Sequence, residues 1–420
     1  MSKNLNFLLI FLVFVFVLLS CSDTYQESNS SNNSDPIIIA GVFHMSGPFA
    51  FIGELGKLHL QYAVDQINKN GGVLNNRKIQ LKIFDDKGSP QESLVQLKLI
   101  TDQNIKFIFN SGGSHVGNAL TDSIKKYNER NIGDEVIFLN TSAVASELSN
   151  EKCHFWHFRF DASVDIKVHS IVEAIRVNNE VKKIYLLNQD YSYGHTVSSQ
   201  AKELLLKARP DISIVGDEFH PLGKVKDFSP YIAKIRESGA DTLLTGNWNN
   251  DLSLLIKSVR ELGLNVKVYT AYANLFGTPE AMRSSGEDRV FVTSSFHPNI
   301  ENYPLKEYQE NFEEFYEVDY VYIPFKYGIE MLVKAINETG SLNSLEIAKK
   351  LENMRYDGGV GEVWMRSDDH QLIQPQYISV FSKLNTTVKY AAFDTGLGWR
   401  PVKSINTSQN AVPHRCEMKK

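Results

Sequence analysis

From Pro36 onward, short apolar runs alternate with longer segments whose apolar residues have helical spacing. Residues 37–43 form a short apolar run that is typical of a buried strand. Residues 53–69 then place leucine, tyrosine, alanine and isoleucine side chains on one face of a helix. Strands that alternate with helices form parallel sheets, which helices cover and right-handed crossovers connect. The pattern therefore predicts an α/β protein.

This alternation occurs in two series. The first has strands at residues 37–43, 78–83, 105–109 and 136–139. The second has strands at residues 183–187, 242–245, 266–270 and 290–293. Three helices and two late strands follow, at residues 303–316, 324–338, 344–354, 377–381 and 388–393. Because 420 residues exceed what one hydrophobic core usually supports, we predict two doubly wound, Rossmann-like lobes joined by a hinge of several chain crossings.

The N-terminus has the pattern of an export signal. Lys3 supplies a positive charge, and residues 5–19 are apolar except for Asn6. This run is shorter than the roughly 20 residues that span a bilayer, and it fits a secretory signal peptide over residues 1–20. The next residues, Leu-Leu-Ser-Cys at positions 18–21, resemble a bacterial lipobox. We therefore expect cleavage before Cys21 and lipidation of this cysteine, with an uncleaved anchor helix as the alternative.

Residues 21–35 are rich in serine, asparagine and acidic side chains and contain almost nothing apolar. Such a composition cannot build a core, so we expect a flexible tether. The predicted location is the periplasm or the extracytoplasmic surface, with a lipid anchor in the membrane.

Composition excludes several classes of function. The net charge of −5 argues against a dedicated nucleic-acid binder, which would have a basic excess. The sequence contains no Gly-x-Ser-x-Gly elbow, no Walker loop and no zinc-protease helix. Cys153, His154 and His157 lack a second pair of metal ligands nearby. We therefore predict that the protein is not an enzyme and holds no metal or cofactor.

Several short motifs occur in a fixed order along the chain. They are His-Met-Ser-Gly-Pro at 44–48, Gly53, Ile-Asn-Lys-Asn-Gly-Gly-Val at 67–73, Phe-Asp-Asp at 84–86, Asp-Tyr-Ser-Tyr-Gly at 190–194, Lys-Asp-Phe-Ser-Pro at 226–230 and Gly246. In this order they resemble type I periplasmic binding proteins, and most closely the Leu/Ile/Val-binding family of ABC importers. The resemblance covers residues 37–394.

The resemblance implies a monomeric clamp that closes on a small solute and docks on a membrane permease driven by a cytosolic ATPase. By analogy, one lobe comprises residues 36–159 and 295–371, and the other comprises residues 160–294 and 372–400. Residues 401–420 are then a C-terminal tail. The implied solute is an amino acid, branched or aliphatic in particular. A ligand-sensing subunit of a signalling system is the next functional class.

Gly113 and Ser114 lie between a predicted strand and a predicted helix. Ligands of doubly wound sheets bind beyond the carboxyl ends of the strands. A helix N-terminus presents free N–H groups and a positive dipole end, which suit a carboxylate. The glycine allows close approach, and the resemblance aligns Ser114 with the serine that binds the ligand carboxylate. It also implies contacts from Ser142 and Ala143, although Val144 replaces a threonine of the amino-acid binders.

Tyr193 and Trp248 follow strands of the second series, where the resemblance implies aromatic side chains that close over the ligand. Tyr272 stands where the amino-acid binders have a glutamate that neutralises the ligand ammonium. A phenol supplies no charge at neutral pH. Either another acid such as Asp190 takes over, or the ligand has no ammonium. Aromatic acids, amides and urea-like solutes therefore remain alternatives to amino acids.

Two cysteines remain if Cys21 carries lipid. Cys153 and Cys416 would then lie in an oxidising compartment, where disulfides persist. We expect them to pair and to hold the C-terminal tail near the hinge.

Overall fold

The computed structural model describes residues 35–275, 277–300 and 304–418. The expected signal peptide, the lipidation site Cys21 and the tether up to residue 34 lie outside the described residues. Within the three described ranges, no helix has the length and hydrophobicity that crossing a bilayer requires.

The first sheet has five parallel strands in the order β2-β1-β3-β4-β5. These are β1 (Ile37–Phe43), β2 (Ile79–Asp85), β3 (Phe107–Asn110), β4 (Ile137–Asn140) and β5 (His157–Arg159). The connecting helices are α1 (Ala50–Lys69), α2 (Pro90–Asp102) and α3 (Ser114–Arg130). Every residue of β3 and β4 is buried, as expected for central strands covered on both faces by other elements.

The second sheet repeats this strand order as β7-β6-β8-β9-β10 and then adds two antiparallel strands, β14 and β15. Its strands are β6 (Lys183–Gln189), β7 (Ser213–His220), β8 (Thr242–Thr245), β9 (Lys267–Thr270), β10 (Val290–Ser294), β14 (Gln376–Lys383) and β15 (Leu397–Ile405). The helices of this region are α4 (Val164–Arg176), α5 (Ser192–Ala208), α6 (Ser229–Glu237), α7 (Asn249–Glu261) and α8 (Thr278–Met282).

Three late helices return to the first sheet. They are α9 (Lys306–Tyr316), α10 (Pro324–Thr339) and α11 (Ser344–Leu351). Phe312, Leu332 and Ile347 from these helices share one hydrophobic core with Ile37 and Phe107. A small antiparallel sheet follows, formed by β11 (Arg355–Asp357), β12 (Glu362–Met365) and β13 (Leu372–Ile373). We call the first sheet with α1–α3 and α9–α11 the first lobe, and the second sheet with α4–α8 the second lobe. The predicted two-lobed α/β fold is confirmed.

The prediction of a strand at residues 388–393 is wrong. The backbone N–H groups of Lys389 and Tyr390 donate to Asn299 Oδ1 at 2.7 and 2.9 Å. Phe393 and Asp394 have φ values of +48° and +52°, which turn the chain into β15. Since β15 continues to Ile405, the first five residues of the expected tail 401–420 belong to the sheet.

A disulfide joins Cys153 to Cys416, with a Cα–Cα distance of 5.8 Å. The N–H of Arg415 also donates to Asn150 Oδ1 at 2.6 Å. Because β15 belongs to the second lobe and Cys153 lies between β4 and β5, the C-terminal segment connects the two lobes.

In each lobe, a glycine allows a helix to approach closely the carbonyl oxygen at the end of the preceding strand. A Cβ atom at Gly53 of α1 would lie 2.0 Å from the carbonyl oxygen of His44. A Cβ atom at Gly194 of α5 would lie 1.9 Å from the carbonyl oxygen of Gln189. Neither oxygen belongs to a flexible side chain, so only glycine permits this approach.

We expect Gly194→Ala to lower the free energy of unfolding by about 3 kcal/mol, because the methyl group would force α5 away from β6. Urea denaturation followed by circular dichroism measures this change. Ser199→Ala, an exposed position on the same helix, is the matched control and should change stability by less than about 0.5 kcal/mol. An unchanged midpoint for Gly194→Ala would contradict the close contact.

Candidate functional site

A cavity lies at the carboxyl ends of the strands of both sheets, between the two lobes. The first lobe contributes residues that follow β1, β3 and β4, together with the start of α10. The second lobe contributes residues that follow β6, β8 and β9. Carboxyl ends of parallel strands are where doubly wound sheets bind ligands.

Six of the eight predicted ligand residues line this cavity, namely Gly113, Ser114, Ser142, Tyr193, Trp248 and Tyr272. The structure does not place the other two there. Ala143 is fully buried next to Gly117, where a Cβ atom would come within 2.2 Å of the alanine methyl. The Asp190 carboxylate points to solvent and binds His195 Nε2 at 2.8 Å. Asp190 is therefore not among the residues that line the cavity.

The first-lobe end of the cavity is rich in hydrogen-bond donors. Helix α3 begins here at Ser114, and its first N–H groups have no partner within the helix. Ser114 Oγ accepts hydrogen bonds from the N–H groups of Val144 and Ala145 at 3.3 and 3.0 Å, so its own proton is available to a ligand. The buried hydroxyl of Ser111 has no partner among the described residues. These groups suit an anionic group such as a carboxylate.

Aromatic side chains form the second-lobe wall. The indole N–H of Trp248 donates to the hydroxyl of Tyr191 at 2.7 Å. The Tyr193 ring lies 5.9 Å from the Tyr191 ring and 6.0 Å from the Tyr272 ring. Burial raises the pKa of all three phenols well above the ordinary value, so they remain neutral. This wall offers ring faces and neutral hydroxyl groups to a ligand.

Among the described residues, no charged side chain lines the cavity. A charged pair lies behind the wall instead. Lys167 Nζ is 2.8 Å from Asp161 Oδ1, and both side chains are buried. Tyr322, which lines the cavity, donates its hydroxyl proton to Asp161 Oδ2 at 2.7 Å. The wall therefore separates a ligand from the ion pair, and one residue of that wall, Tyr322, is bonded directly to the carboxylate.

Sequence reasoning missed Tyr322, Phe325 and Ile52 as cavity residues. Ile52 lies on α1, and the other two lie at the start of α10. Tyr322 and Phe325 do not follow a strand, and Ile52 lies within a helix, beyond the loop that follows β1. For Tyr322 the one available signal was Pro324, which predicts a helix start just after it.

Side chains of the two lobes meet over the cavity. Phe49, between β1 and α1, has its ring centroid 5.2 Å from that of Trp248. The His115 ring of α3 lies 5.7 Å from the Tyr191 ring. Phe49 also packs against Gly223, where a Cβ atom would be 3.2 Å from its ring. The structure is therefore closed, with ring contacts bridging the opening between the lobes.

Known proteins of similar sequence and structure are solute-binding proteins. The family described as "Periplasmic binding protein" matches residues 36–383. Leu/Ile/Val-binding protein homolog 4 of Brucella abortus (strain 2308) is 30% identical over 421 residues, which are 97% of this chain and 99% of that protein.

The solved structures with a similar fold include further binding proteins. The closed leucine-, isoleucine-, valine-, threonine- and alanine-binding protein of Brucella ovis has a TM-score of 0.84 and 30% identity, and the match covers 92% of this chain and 99% of that chain. A solute binding protein of an ABC transporter from Rhodopseudomonas palustris BisB5, in complex with 3,4-dihydroxybenzoic acid, has a TM-score of 0.75 at 16% identity, covering 89% of this chain and 98% of that chain. The second likeness concerns the fold alone.

We expect Phe49→Ala to shift the protein toward an open form, because the substitution removes the ring contacts that bridge the lobes. Small-angle X-ray scattering of the ligand-free protein should give a larger radius of gyration than for the wild type. Phe315→Ala, which truncates an exposed phenylalanine of α9, should leave it unchanged. Equal radii for wild type and Phe49→Ala would contradict a role for these contacts in closure.

Proposed function

This chain belongs to the periplasmic binding protein family, and we propose that it captures a small carboxylate-bearing solute between its lobes for an ABC importer. Members of this family bind small molecules outside the cytoplasm and work with ABC transporters. The observation that carries the proposal is the closed cavity, which has donors of α3 at one end and aromatic side chains of the second lobe along the wall.

The proposed solute is an amino acid with a branched or aliphatic side chain. The N–H groups of α3 and the Ser114 hydroxyl would bind its carboxylate. Ile52, Leu55 and Phe325 offer an apolar surface for its side chain. The names of the Brucella relatives, which refer to leucine, isoleucine and valine, support this class.

Aromatic acids are the second candidate class. The uncharged lining and its tyrosine and tryptophan rings favour a flat apolar body, since rings stack on one another. The protein from Rhodopseudomonas palustris, which shares the fold, binds an aromatic acid. Amides and urea-like solutes would use the same hydroxyl groups without a carboxylate.

Capture would proceed by closure of the lobes. A solute that contacts donors of the first lobe and rings of the second lobe binds the closed form more tightly, and it therefore shifts the population toward that form. The proposed lobes are residues 36–159 with 295–371 and residues 160–294 with 372–400. The proposed partners are a membrane permease and its ATPase. We also propose that the protein is a monomer anchored through lipid on Cys21.

Thermal-shift screening of the purified protein tests the solute class. The panel comprises leucine, isoleucine and valine, then 4-hydroxybenzoate, and then acetamide and urea. A ligand at 100 times its Kd should stabilise the protein by about 2.7 kcal/mol, so aliphatic amino acids should raise the melting temperature. If only compounds without an ammonium group raise it, the amino-acid proposal is wrong and the second class replaces it.

Ser114→Ala and Trp248→Ala test the cavity as the binding site. Loss of the Ser114 hydroxyl should weaken binding about 10-fold, because a charge-assisted hydrogen bond disappears. Loss of the Trp248 ring should weaken it at least as much, since the largest ring of the wall is removed. Isothermal titration calorimetry measures both changes, with circular dichroism to verify folding and Ser199→Ala as the control. Unchanged affinity in both variants would rule out this cavity as the binding site.

A further inference from the structure

The Asp161–Lys167 pair occupies the segment where the chain passes from the first lobe to the second. Asp161 lies two residues beyond the end of β5, and Lys167 lies in the first turns of α4. Their side chains are only 2% and 5% exposed. A second, smaller cavity touches both of them and shares Tyr272, Leu275 and Tyr322 with the main cavity. The pair is therefore one side chain away from the space a solute would occupy.

A contribution to the stability of the folded protein does not by itself explain why this ion pair is buried here. Removing two charges from water costs several kcal/mol, and well-packed apolar side chains of similar volume often stabilise a protein equally well. The pair also lies within a site rather than in a lobe core, because its partners Tyr322 and Tyr272 line the main cavity. The position of the pair therefore points to a functional role for the Asp161 carboxylate.

The hydrogen bond to Asp161 determines what Tyr322 can offer to a solute. A phenol has a single proton, and that of Tyr322 is directed at Asp161 Oδ2, 2.7 Å away, with the Thr141 carbonyl oxygen at 3.0 Å. The phenol oxygen can therefore only accept a hydrogen bond from a ligand. Hydrogen bonds in a chain polarise one another, so the carboxylate behind the phenol makes its oxygen a stronger acceptor.

Lys167 affects the neighbouring phenol in a different way. Its ammonium group lies 5.2 Å from the centroid of the Tyr272 ring. A cation beside a ring already uses the attraction of that ring for positive charge. The Tyr272 ring is therefore already next to a cation, whereas Tyr322 is hydrogen-bonded to the carboxylate. Together, the ion pair and the two phenols make the Tyr322 side of the cavity the better place for an ammonium group of the ligand.

We propose that Asp161 is a positioning residue that acts through Tyr322 to select solutes with an ammonium group. This inference rests on the proposed function, because it assigns the carboxylate of an amino acid to the α3 end and its ammonium to the Tyr322 hydroxyl. Lys167 stabilises the buried carboxylate through the ion pair.

Calorimetric titration with leucine and with 4-methylpentanoate, which lacks only the ammonium group, tests the proposal. Tyr322→Phe keeps the ring and removes the hydroxyl. We expect it to weaken leucine binding about 10-fold or more, as for a hydrogen bond to a charged group, and to change 4-methylpentanoate binding by less than about 2-fold. Asp161→Asn should cause the same selective loss. Combining the two substitutions should add little further loss, because both act on one chain of hydrogen bonds.

Tyr327→Phe is the matched control. Tyr327 is a buried tyrosine of α10 that does not line the main cavity, and its hydroxyl has no partner within the described ranges. This variant should bind both compounds like the wild type. Should Asp161→Asn fail to fold, Tyr322→Phe alone still decides, because it leaves the ion pair intact.

The outcomes separate the inference from the function on which it rests. If the wild type binds leucine and Tyr322→Phe weakens both compounds equally, or neither, the inference is wrong and the amino-acid function stands. If the wild type binds 4-methylpentanoate or aromatic acids but no amino acid, both the inference and the amino-acid class are wrong. A selective loss of leucine binding in Tyr322→Phe and Asp161→Asn supports the proposal.

Discussion

Parallel strand pairing is the constraint on which the rest of this structure depends. Because right-handed crossovers return every strand to the same direction, all carboxyl ends in a parallel sheet emerge at one edge. The helix that follows each strand starts at that edge, with free N–H groups facing outward. Here two sheets of the same strand order present such edges to one cavity. Donors and aromatic side chains from distant parts of the sequence meet there for this reason.

The fold was largely predictable because its central strands are buried on both faces. The apolar runs at residues 37–43 and 242–245 coincide with β1 and β8. The apolar pattern does not predict strand β7, because most of its residues are only half-buried. Its Gly216 also interrupts the pattern at the point where the Tyr185 ring packs. Residues 388–393 are apolar enough to suggest a strand, but hydrogen bonds to Asn299 and a left-handed turn override that preference. Tertiary contacts of this kind leave no local signal in the sequence.

The residues of the candidate site also fall into some that the sequence predicts and others that it does not. Ser114, Trp248 and Tyr272 could be found because they follow strands, and strand ends are fixed in space by the sheet. Tyr322 reaches the cavity only because the chain returns to the first lobe after the second sheet is complete. Asp161 was overlooked because its importance comes from a contact with Tyr322, 161 residues away. Spacing along the chain carries no record of such a contact. Asp190 follows a strand, as the sequence predicts, but its carboxylate binds His195 and does not line the cavity.

The C-terminal segment limits how the lobes can move. The backbone passes between them after β5, after β10 and before β14, and the disulfide of Cys416 adds a covalent link at the far end of the chain. Four links side by side resist sliding and twisting, and they leave bending about one line as the easy motion. Phe49 and Trp248 belong to opposite lobes, and such a bend would separate their rings. The covalent link at Cys416 therefore makes a hinge, rather than a sliding joint, the motion by which the space between the lobes would change.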